Sequence, residues 1–365
     1  MPTQEFTTKA LQALIDDLVQ RQSTIPGGLL FVASANQCWS AASGFADPDA
    51  GIPMHTQDQF VADSISKMMT ATLALQSVEQ GALALDRTLG EYISGDVLDG
   101  LKDFDGNAFG ATVTIRQLLA HRSGLADDWN SPGFLDLILA DPQRRWRPEE
   151  TIDFVKSHTK PAFSPGGGFL YSDPGYNLIG LAIETAGKLP LHLQMRERIF
   201  TPMGMEHTYR PSHESEIPSA LKRGVSKRYL EEQEGTLLPA VITADWAGGG
   251  LVSTAVDLSR FLRGLVSGEL FKSGNTLDLM LDWQPSSDFT DYGLGMARID
   301  YVRRGHEGDT ILKELWGHAG SSHNFSYYWP EGDLILVATL NQIVTDTNLY
   351  DTAARILRTI QQLAL

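Results

Sequence analysis

Ser64 and Lys67 stand three residues apart at the start of a segment rich in helix-forming residues. A strand-like stretch over residues 59–62 precedes them, and a helical run over residues 68–75 follows. Because residues three apart lie on one face of a helix, we expect the Lys67 amine beside the Ser64 hydroxyl. A serine beside a base, at the positive end of a helix, is the arrangement that an acyl-transfer nucleophile needs.

The tetrapeptide Ser-x-x-Lys is weak evidence when it is taken alone. Two further copies occur, at residues 157–160 and 219–222. A lone copy on a helix is commonly no more than a solvated polar face. The pair Ser64 and Lys67 therefore needs companions elsewhere in the chain before it can be interpreted as catalytic.

Tyr171 and Asp173 form the one Tyr-x-[Asn/Asp] motif of the chain, directly after a glycine-rich turn over residues 163–170. Asp173 followed by Pro174 also suits the N-cap and first turn of a helix. Two interpretations stay open at this point. Asp173 either faces the site, or it points away and only caps the helix while Tyr171 packs in the core.

His318 and Gly320 supply a [Lys/His]-x-Gly motif in the short apolar segment 315–322, which we expect to be a strand. Other copies occur at residues 222–224, 272–274 and 306–308. Only the copy at His318 lies in an expected strand that two more expected strands follow. An isolated histidine of this kind would equally suit a structural role.

The elements that must position these residues follow a simple order along the chain. The sequence predicts a helix over 10–20, strands over 28–33 and 38–46 with a turn over 34–37, helices with loops from 64 to about 230, strands over 293–299, 315–322, 324–329 and 334–340, and a last helix over 347–363. This order predicts an α+β fold in which helices flank an antiparallel sheet and a mainly helical lobe is inserted. We expect residues 1–62 and 240–365 to form the α/β lobe and residues 63–239 the helical lobe, with the site between them.

Composition and charge exclude several classes of function. The chain has 365 residues and a formal net charge of −16, which argues against nucleic acid or an anionic membrane as a partner. Cys38 is its single cysteine, so neither an internal disulfide nor a cysteine-based metal cluster is possible. No apolar run is long enough to span a bilayer, and residues 1–9 lack the pattern of a secretory signal. The sequence therefore predicts a cytoplasmic protein.

The three motifs, in this order, resemble those of the serine β-lactamase and penicillin-binding superfamily. The resemblance is to the class C β-lactamase-like branch, which includes D,D-carboxypeptidases, D-aminopeptidases and family VIII carboxylesterases. It covers about residues 10 to 360, and the stretches 118–125 and 247–258 are similar as well. The resemblance implies the β-lactamase/D,D-peptidase-like version of the α+β fold.

The resemblance also implies a role for each motif. Ser64 would attack a carbonyl and form an acyl-enzyme, and Lys67 and Tyr171 would together take the serine proton and pass it to the leaving group. Which of the two is the formal base stays open, although burial should make the Lys67 ammonium easier to deprotonate. The backbone N–H groups of Ser64 and Ser321 would form the oxyanion hole.

Two departures from the family pattern narrow the chemistry that the resemblance implies. Asp173 stands where many relatives carry an asparagine that contacts the substrate, so its charge would disfavour an anionic acyl group and suit an amine. His318 stands where β-lactamases carry a lysine that helps to anchor the substrate carboxylate. Because a histidine is mostly neutral near pH 7, we expect poor β-lactam hydrolysis. Asp173, His318, Gly320 and Ser321 complete the expected substrate and oxyanion residues.

The expected function is therefore that of a carboxylesterase-like serine hydrolase, which cleaves small esters or amides through an acyl-Ser64 intermediate. The alternatives are a D-aminopeptidase, a D,D-carboxypeptidase with weak β-lactamase activity, and an acyltransferase. A non-catalytic binding protein on this fold should have lost Ser64, Lys67 or Tyr171, and all three are present. We expect no cofactor, no metal and no partner other than the small-molecule substrate, and the oligomeric state stays open.

Overall fold

The structure is a computed structural model, and it describes residues 4–21, 24–230, 232–287, 290–301, 303, 313–343 and 349–364. Its strands are β1 Gly27–Ala33, β2 Cys38–Asp47, β3 Ile52–Pro53, β4 Phe60–Val61, β5 Tyr229–Leu230, β6 Gln233–Glu234, β7 Val252–Ser253, β8 Gln284–Pro285, β9 Asp291–Tyr292, β10 Ala297–Asp300, β11 Glu314–Gly320, β12 Asn324–Trp329 and β13 Leu334–Thr339. Its α-helices are α1 Gln4–Gln20, α2 Ser66–Glu79, α3 Gly95–Leu98, α4 Phe109–Thr112, α5 Ile115–Leu119, α6 Phe134–Ala140, α7 Pro148–His158, α8 Asp173–Gly187, α9 Leu191–Met195, α10 Pro239–Gly249, α11 Ala255–Val266, α12 Gly274–Met280 and α13 Leu349–Ala364.

Nine of these strands form one antiparallel sheet. The order across the sheet is β3-β2-β1-β13-β12-β11-β10-β9-β8. β1 comes from the N-terminal part of the chain and β13 from the C-terminal part, and they pair with Leu30 opposite Ala338. The strands from both ends of the chain thus lie side by side at the centre of the sheet.

The two faces of the sheet bury different sets of helices. Leu30 and Val32 of β1 join a hydrophobic cluster that includes residues of α1 and α13. Leu29 and Phe31 point to the opposite face and join the larger cluster, which contains α11, α2 and the helical region. This alternation follows from the two-residue period of a strand. The sheet is therefore covered on both faces, and α2 lies in the larger core.

α2 is the buried helix that carries the serine–lysine motif. Its first twelve residues, Ser66 to Ser77, are all buried, and Lys67 is the one charged residue among them. A helix that lacks a polar face has to lie inside the protein. Lys67 therefore enters the core because the helix that carries it does, and its charge needs partners there.

The predicted fold class is confirmed, with differences at individual elements. The segment 293–299 was expected to be one strand, but Gly293–Met296 is a turn between β9 and β10. Gly293 N–H donates to Met296 O at 2.8 Å, and Gly295 has a φ of 83°, which a strand does not allow.

The first helix begins at Gln4, six residues before the expected start, and the last begins at Leu349 within the described part. Residues 306–308 and 347–348, which were part of the sequence-based expectations, lie outside the described residues. The boundaries of the two lobes stay a prediction. Among the described helices, none combines the length and the apolar character that crossing a membrane requires.

Candidate active site

Ser64 lies in the 3-10 turn Asp63–Ile65, which leads directly into α2. The turn is held on its N-terminal side because β4 pairs with β7, and Ala62 N–H donates to Leu251 O at 2.8 Å. Asp63 has a φ of 47°, in the left-handed region. The chain therefore turns sharply just before Ser64, whose side chain is only half-buried while its neighbours Asp63 and Ile65 are buried.

The Lys67 ammonium has three protons and faces three acceptors. Nζ donates to Ser64 Oγ at 3.0 Å and to the backbone oxygen of Gly248 at 3.0 Å, and it forms an ion pair with Asp173. The Tyr171 hydroxyl is a further acceptor beside Nζ, so the three protons are shared among these partners. The predicted contact between Ser64 and Lys67 is present.

Asp173 faces the site, which decides between the two interpretations of this residue. Ser172 is the N-cap of α8, because its hydroxyl accepts from Gly175 N–H at 3.2 Å, and Asp173 is the first helical residue. Of the two interpretations, the one in which Asp173 points away and caps the helix is therefore wrong. The cap at Ser172 leaves the Asp173 carboxylate available to pair with Lys67.

Electrostatics keep Lys67 charged in the resting site. Burial lowers the pKa of an ammonium, but the carboxyl groups, Asp173 first and then Asp245, outweigh it and raise the Lys67 pKa well above its usual value. Burial does favour loss of the proton, as expected, but the neighbouring charge of Asp173 outweighs it in the resting site. A sequence cannot reveal this balance, because Asp245 is far from Lys67 along the chain.

Tyr171 contacts both the serine and the lysine. Its hydroxyl shares hydrogen bonds with Lys67 and Ser64, and Lys67 Nζ lies 4.9 Å from the centre of its ring. Burial raises the pKa of Tyr171, and the Asp173 charge adds to this, while the contacts with Lys67 and Ser64 lower it in part. Tyr171 is therefore a neutral phenol at rest, in contact with both Ser64 and Lys67.

His121 supports the ring of Tyr171 and was not among the predicted site residues. The two rings stack with centres 4.2 Å apart, and His121 Nδ1 accepts from Ser172 N–H at 3.1 Å. Burial lowers the His121 pKa well below its usual value, and the Lys67 charge adds to the shift. His121 is thus a neutral acceptor. It lies in the stretch 118–125, whose similarity to the family could have identified it.

Further carboxyl groups surround the pair of Lys67 and Asp173. Burial and the Asp173 charge raise the pKa of both Asp127 and Asp245 to about 7. Burial, followed by the charges of Asp127, Asp173 and Asp245, raises the pKa of Asp128 well above its usual value. The oxygens of Asp127, Asp128 and Asp173 lie within 4.8 Å of one another, so this is the group of described residues that could hold a metal ion. Lys67 already brings a positive charge to it.

His318 is buried on β11 and bonded at both ring nitrogens. Nδ1 lies 2.6 Å from the backbone oxygen of Ala319, and Nε2 lies 3.0 Å from the Tyr292 hydroxyl. A carbonyl oxygen only accepts, so Nδ1 donates and Nε2 accepts from Tyr292 when the ring is neutral. Burial, together with the Lys67 charge, lowers the His318 pKa to about 3. His318 is therefore neutral near pH 7 and offers no positive charge to a substrate.

Gly320, at the end of β11, lies against the turn that precedes Ser64. A Cβ atom at this position would be 2.7 Å from the Asp63 Cβ and 3.1 Å from the Ala62 backbone oxygen. Only a glycine permits this approach. The next residue, Ser321, is exposed, and Gly320 thus places the end of β11 against the turn that carries Ser64.

A family comparison agrees with this geometry. The model of the family described as Beta-lactamase matches residues 11–359, which is nearly the whole chain. The chain belongs to the Beta-lactamase family. The resemblance inferred from the three motifs is confirmed.

The names of the relatives indicate several different activities. Penicillin-binding protein 4 of Amycolatopsis lactamdurans is 29% identical over 68% of this chain and 61% of its own length. The D-aminopeptidase of Brucella anthropi is 28% identical over 55% of this chain and 36% of its own length. The matches thus span about three fifths or less of these relatives.

A solved structure of the family covers the chain more completely. The D-amino acid amidase of Ochrobactrum anthropi SV3, complexed with L-phenylalanine, is 25% identical, has a TM-score of 0.79, and matches over 98% of this chain and 99% of its own. The chain thus has the overall fold of this amidase. Together with the family model, the relatives support enzyme activity of the serine hydrolase kind.

Proposed function

We propose that this protein is a serine hydrolase that cleaves small esters or amides through an acyl-Ser64 intermediate. The observation that carries the proposal is the contact of 3.0 Å between Lys67 Nζ and Ser64 Oγ, with the Tyr171 hydroxyl bonded to both. A nucleophile and a base within hydrogen-bond distance form the core of such a site. Our first candidate activity is that of a carboxylesterase.

The proton of Ser64 moves within the group formed by Ser64, Lys67 and Tyr171. At rest Lys67 is an ammonium and Tyr171 a phenol, so one of them must lose a proton before either accepts one. Once it has done so, the group takes the Ser64 proton while Oγ bonds to the substrate carbonyl carbon. The same proton then goes to the leaving alcohol or amine as its bond to that carbon breaks.

The oxyanion of the tetrahedral intermediate is assigned to the backbone N–H groups of Ser64 and Ser321. The close approach of Gly320 to Asp63 supports this assignment, because it brings the backbone before Ser64 next to the backbone before Ser321. Loss of one such donor costs about 10²–10³ in kcat. His318 and Gly320 are assigned to the part of the substrate site that adjoins the oxyanion hole.

A second candidate substrate class is amides or esters that carry a free amine. The Asp173 carboxylate lies in the site and keeps a small exposed area, and Asp245 adds a second carboxyl group nearby. A carboxylate can accept several hydrogen bonds, so Asp173 can bind a substrate ammonium in addition to Lys67. This class includes the substrates of D-aminopeptidases and D-amino acid amidases.

Penicillins and cephalosporins fit the site poorly. They carry a carboxylate; the neutral His318 gives no cation to receive it, and the carboxyl groups around Lys67 disfavour it. We therefore expect slow turnover of nitrocefin. Acyl transfer to an alcohol or amine would use the same acyl-Ser64 intermediate. It differs from hydrolysis only in the nucleophile that attacks this intermediate.

Covalent labelling tests the proposal directly. A fluorophosphonate should label the wild-type protein at Ser64 and leave Ser64→Ala unlabelled. Hydrolysis of p-nitrophenyl butyrate, D-alanine p-nitroanilide and nitrocefin, measured side by side, then separates the candidates. Failure of the folded wild type to react with the fluorophosphonate would refute the hydrolase proposal, and strong nitrocefin turnover without ester turnover would refute the esterase candidate. The cytoplasmic location expected from the sequence stays a prediction.

A further inference from the structure

Asp63, the residue directly before Ser64, is a buried carboxylate whose two oxygens are both in use. Its side chain belongs to a residue that is 3% exposed, so the charge needs compensation within the protein. One oxygen forms an ion pair with Arg228, and the other accepts two hydrogen bonds. Asp63 lies just outside the Ser-x-x-Lys motif.

The two hydrogen bonds to Asp63 Oδ2 come from the turn between β11 and β12 and from the first residue of β12. Ser322 N–H donates at 2.9 Å, and the Asn324 side-chain amide donates at 3.0 Å. Asn324 Nδ2 also donates to the Val61 backbone oxygen at 2.7 Å. Asp63 therefore ties the strand–turn–strand unit to the backbone that leads into the nucleophile.

Arg228 pairs with the other oxygen of the Asp63 carboxylate, Oδ1. Besides the ion pair, its Nε donates to the Gly235 backbone oxygen at 3.2 Å, and its Nη1 donates to Ser322 Oγ at 3.4 Å. Arg228 itself is buried. Since Arg228 contacts both Asp63 and Ser322, the cation reinforces the same connection that the carboxylate makes.

The position of this connection in the chain links it to the oxyanion hole. Asp63 is one residue before Ser64, and Ser322 is one residue after Ser321. The hydrogen bond from Ser322 N–H to Asp63 therefore joins the two residues that adjoin the assigned oxyanion donors. Asp63 takes a left-handed φ of 47°, a conformation that aspartate and asparagine adopt more readily than most residues.

We propose that Asp63 is a positioning residue, whose carboxylate fixes the separation of the Ser64 and Ser321 backbone N–H groups. The proposal rests on the proposed function, because it takes those two groups as the oxyanion hole. Preorganised donors stabilise the charge that develops in the transition state, and a displacement of about 1 Å can cost about 10²-fold in rate. Asp63 acts through the backbone and does not contact the substrate.

Three variants test the role of Asp63. Asp63→Gly removes the carboxylate and still permits the left-handed backbone. Asp63→Asn retains the size and one acceptor oxygen, and so should retain part of the effect. Asp58→Asn is the matched control, since Asp58 is 1% exposed, accepts from His55 N–H at 2.7 Å and pairs with Arg223 at 2.7 Å, away from the two donors.

Steady-state kinetics on p-nitrophenyl butyrate, with the inhibition constant of a phenylboronic acid, give the decisive measurements. The boronic acid bonds to Ser64 as a tetrahedral adduct and so uses the oxyanion hole. We expect kcat to fall about 10- to 100-fold in Asp63→Gly and less in Asp63→Asn, with KM within about threefold. Boronic acid affinity should fall in parallel, and Asp58→Asn should keep kcat and boronic acid affinity within about twofold.

The outcomes separate this proposal from the proposed function. If the fluorophosphonate labels the wild type and Asp63→Gly retains its kcat and boronic acid affinity, the positioning role is refuted and the hydrolase proposal stands. Equal losses in Asp58→Asn would also refute it, because they would reflect general destabilisation. If neither Asp63 variant folds, Asn324→Ala decides, since it leaves the ion pair with Arg228 intact. A lower kcat at constant KM supports the role, and a wild-type kcat refutes it.

Discussion

Asp173 is the residue that most changes the chemistry expected of the serine–lysine motif. A buried lysine on its own would lose its proton easily, but the charge of Asp173 holds the Lys67 pKa well above its usual value. In the proposed mechanism, the group of Ser64, Lys67 and Tyr171 must lose a proton first. Activity on a neutral ester should therefore rise with pH toward the alkaline range.

Replacing Asp173 by asparagine should move this pH dependence. Asp173→Asn removes the strongest of the charges that keep Lys67 protonated, so the Lys67 pKa falls and the active form is reached at lower pH. An opposite charge at this distance typically shifts a pKa by about 1–3 units. In the profile of kcat/KM against pH for p-nitrophenyl butyrate, we expect the rising limb to shift down by about one unit or more. An unchanged limb would show that Asp173 does not control the base.

Asp245 gives a prediction about stability. Its pKa is raised to about 7, by burial first and then by Asp173, and its Oδ1 finds no hydrogen-bond partner within the described residues. A carboxyl group whose folded-state pKa is raised binds more protons in the folded state, so stability falls as the pH rises from about 4 to about 7. The neutral Asp245→Asn should remove this loss.

The test of Asp245→Asn compares denaturant unfolding at pH 5 and pH 8. The gain in the free energy of unfolding relative to wild type should be larger at pH 8 than at pH 5 by about 1–3 kcal/mol. A gain that is equal at both pH values would mean that Asp245 titrates normally in the folded protein. Asp153, an exposed partner of Lys156, is a suitable control, and Asp153→Asn should change stability little at either pH.

The sequence could predict contacts between residues that lie close together along the chain. It could not predict contacts that form only when distant segments pack together. Ser64 and Lys67 lie one helical turn apart, so their contact follows from the sequence. Asp245 and Arg228 reach the site only because α10 packs on α2 and because β5 lies near the turn before Ser64. No pattern within a short window contains that information.

At the scale of elements, the start of α8 sets the position of both Tyr171 and Asp173. The Ser172 hydroxyl accepts from Gly175 N–H at 3.2 Å and donates to the Ala126 backbone oxygen at 3.2 Å. One side chain thus caps the helix and ties the cap to the neighbouring segment. Since Tyr171 and Asp173 flank it, a change at Ser172 should affect catalysis as well as stability.

A second helix cap provides the comparison. Thr254 caps α11 in the same way, because its hydroxyl accepts from Asp257 N–H at 3.2 Å. Ser172→Ala and Thr254→Ala should each lower the free energy of unfolding by about 1 kcal/mol. Only Ser172→Ala should also lower kcat, by about fivefold or more. The kcat of both variants is measured well below their melting temperatures, so that both are folded. Equal kcat values in the two variants would show that the cap of α8 does not position the site.

Element boundaries were predictable where a run rich in apolar residues is bounded by turn residues, and not where a glycine within the run allows a turn. The expected strands over 324–329 and 28–33 match β12 and β1 within one residue. The expected strand over 293–299 is interrupted because Gly295 adopts a left-handed conformation. A glycine in an apolar run is compatible with either outcome, so only the pairing of β9 with β10 decides it.

At the scale of the whole molecule, the net charge of −16 and the carboxyl groups of the site have the same sign. The long-range field should therefore raise the local concentration of cationic substrates and leave neutral ones unaffected. Salt screens this effect, because the Debye length falls from about 30 Å at 0.01 M to about 10 Å at 0.1 M. Two substrates of similar structure, one cationic and one neutral, can measure this electrostatic effect whichever candidate activity is correct.

The experiment compares butyrylthiocholine with the neutral ethyl thioester of butyrate between 0.02 and about 0.5 M NaCl. We expect kcat/KM for the cationic thioester to fall several-fold, mainly through KM, while the neutral thioester changes less than about twofold. Asp173→Asn separates the local contribution from the molecular one, because it changes the net charge only from −16 to −15. That variant should lower kcat/KM for the cation relative to the neutral thioester at every salt concentration and keep nearly the same salt dependence. If the two thioesters show identical salt dependence in the wild type, the overall charge has no part in substrate selection. If Asp173→Asn abolishes the salt dependence, the whole effect belongs to that one carboxylate.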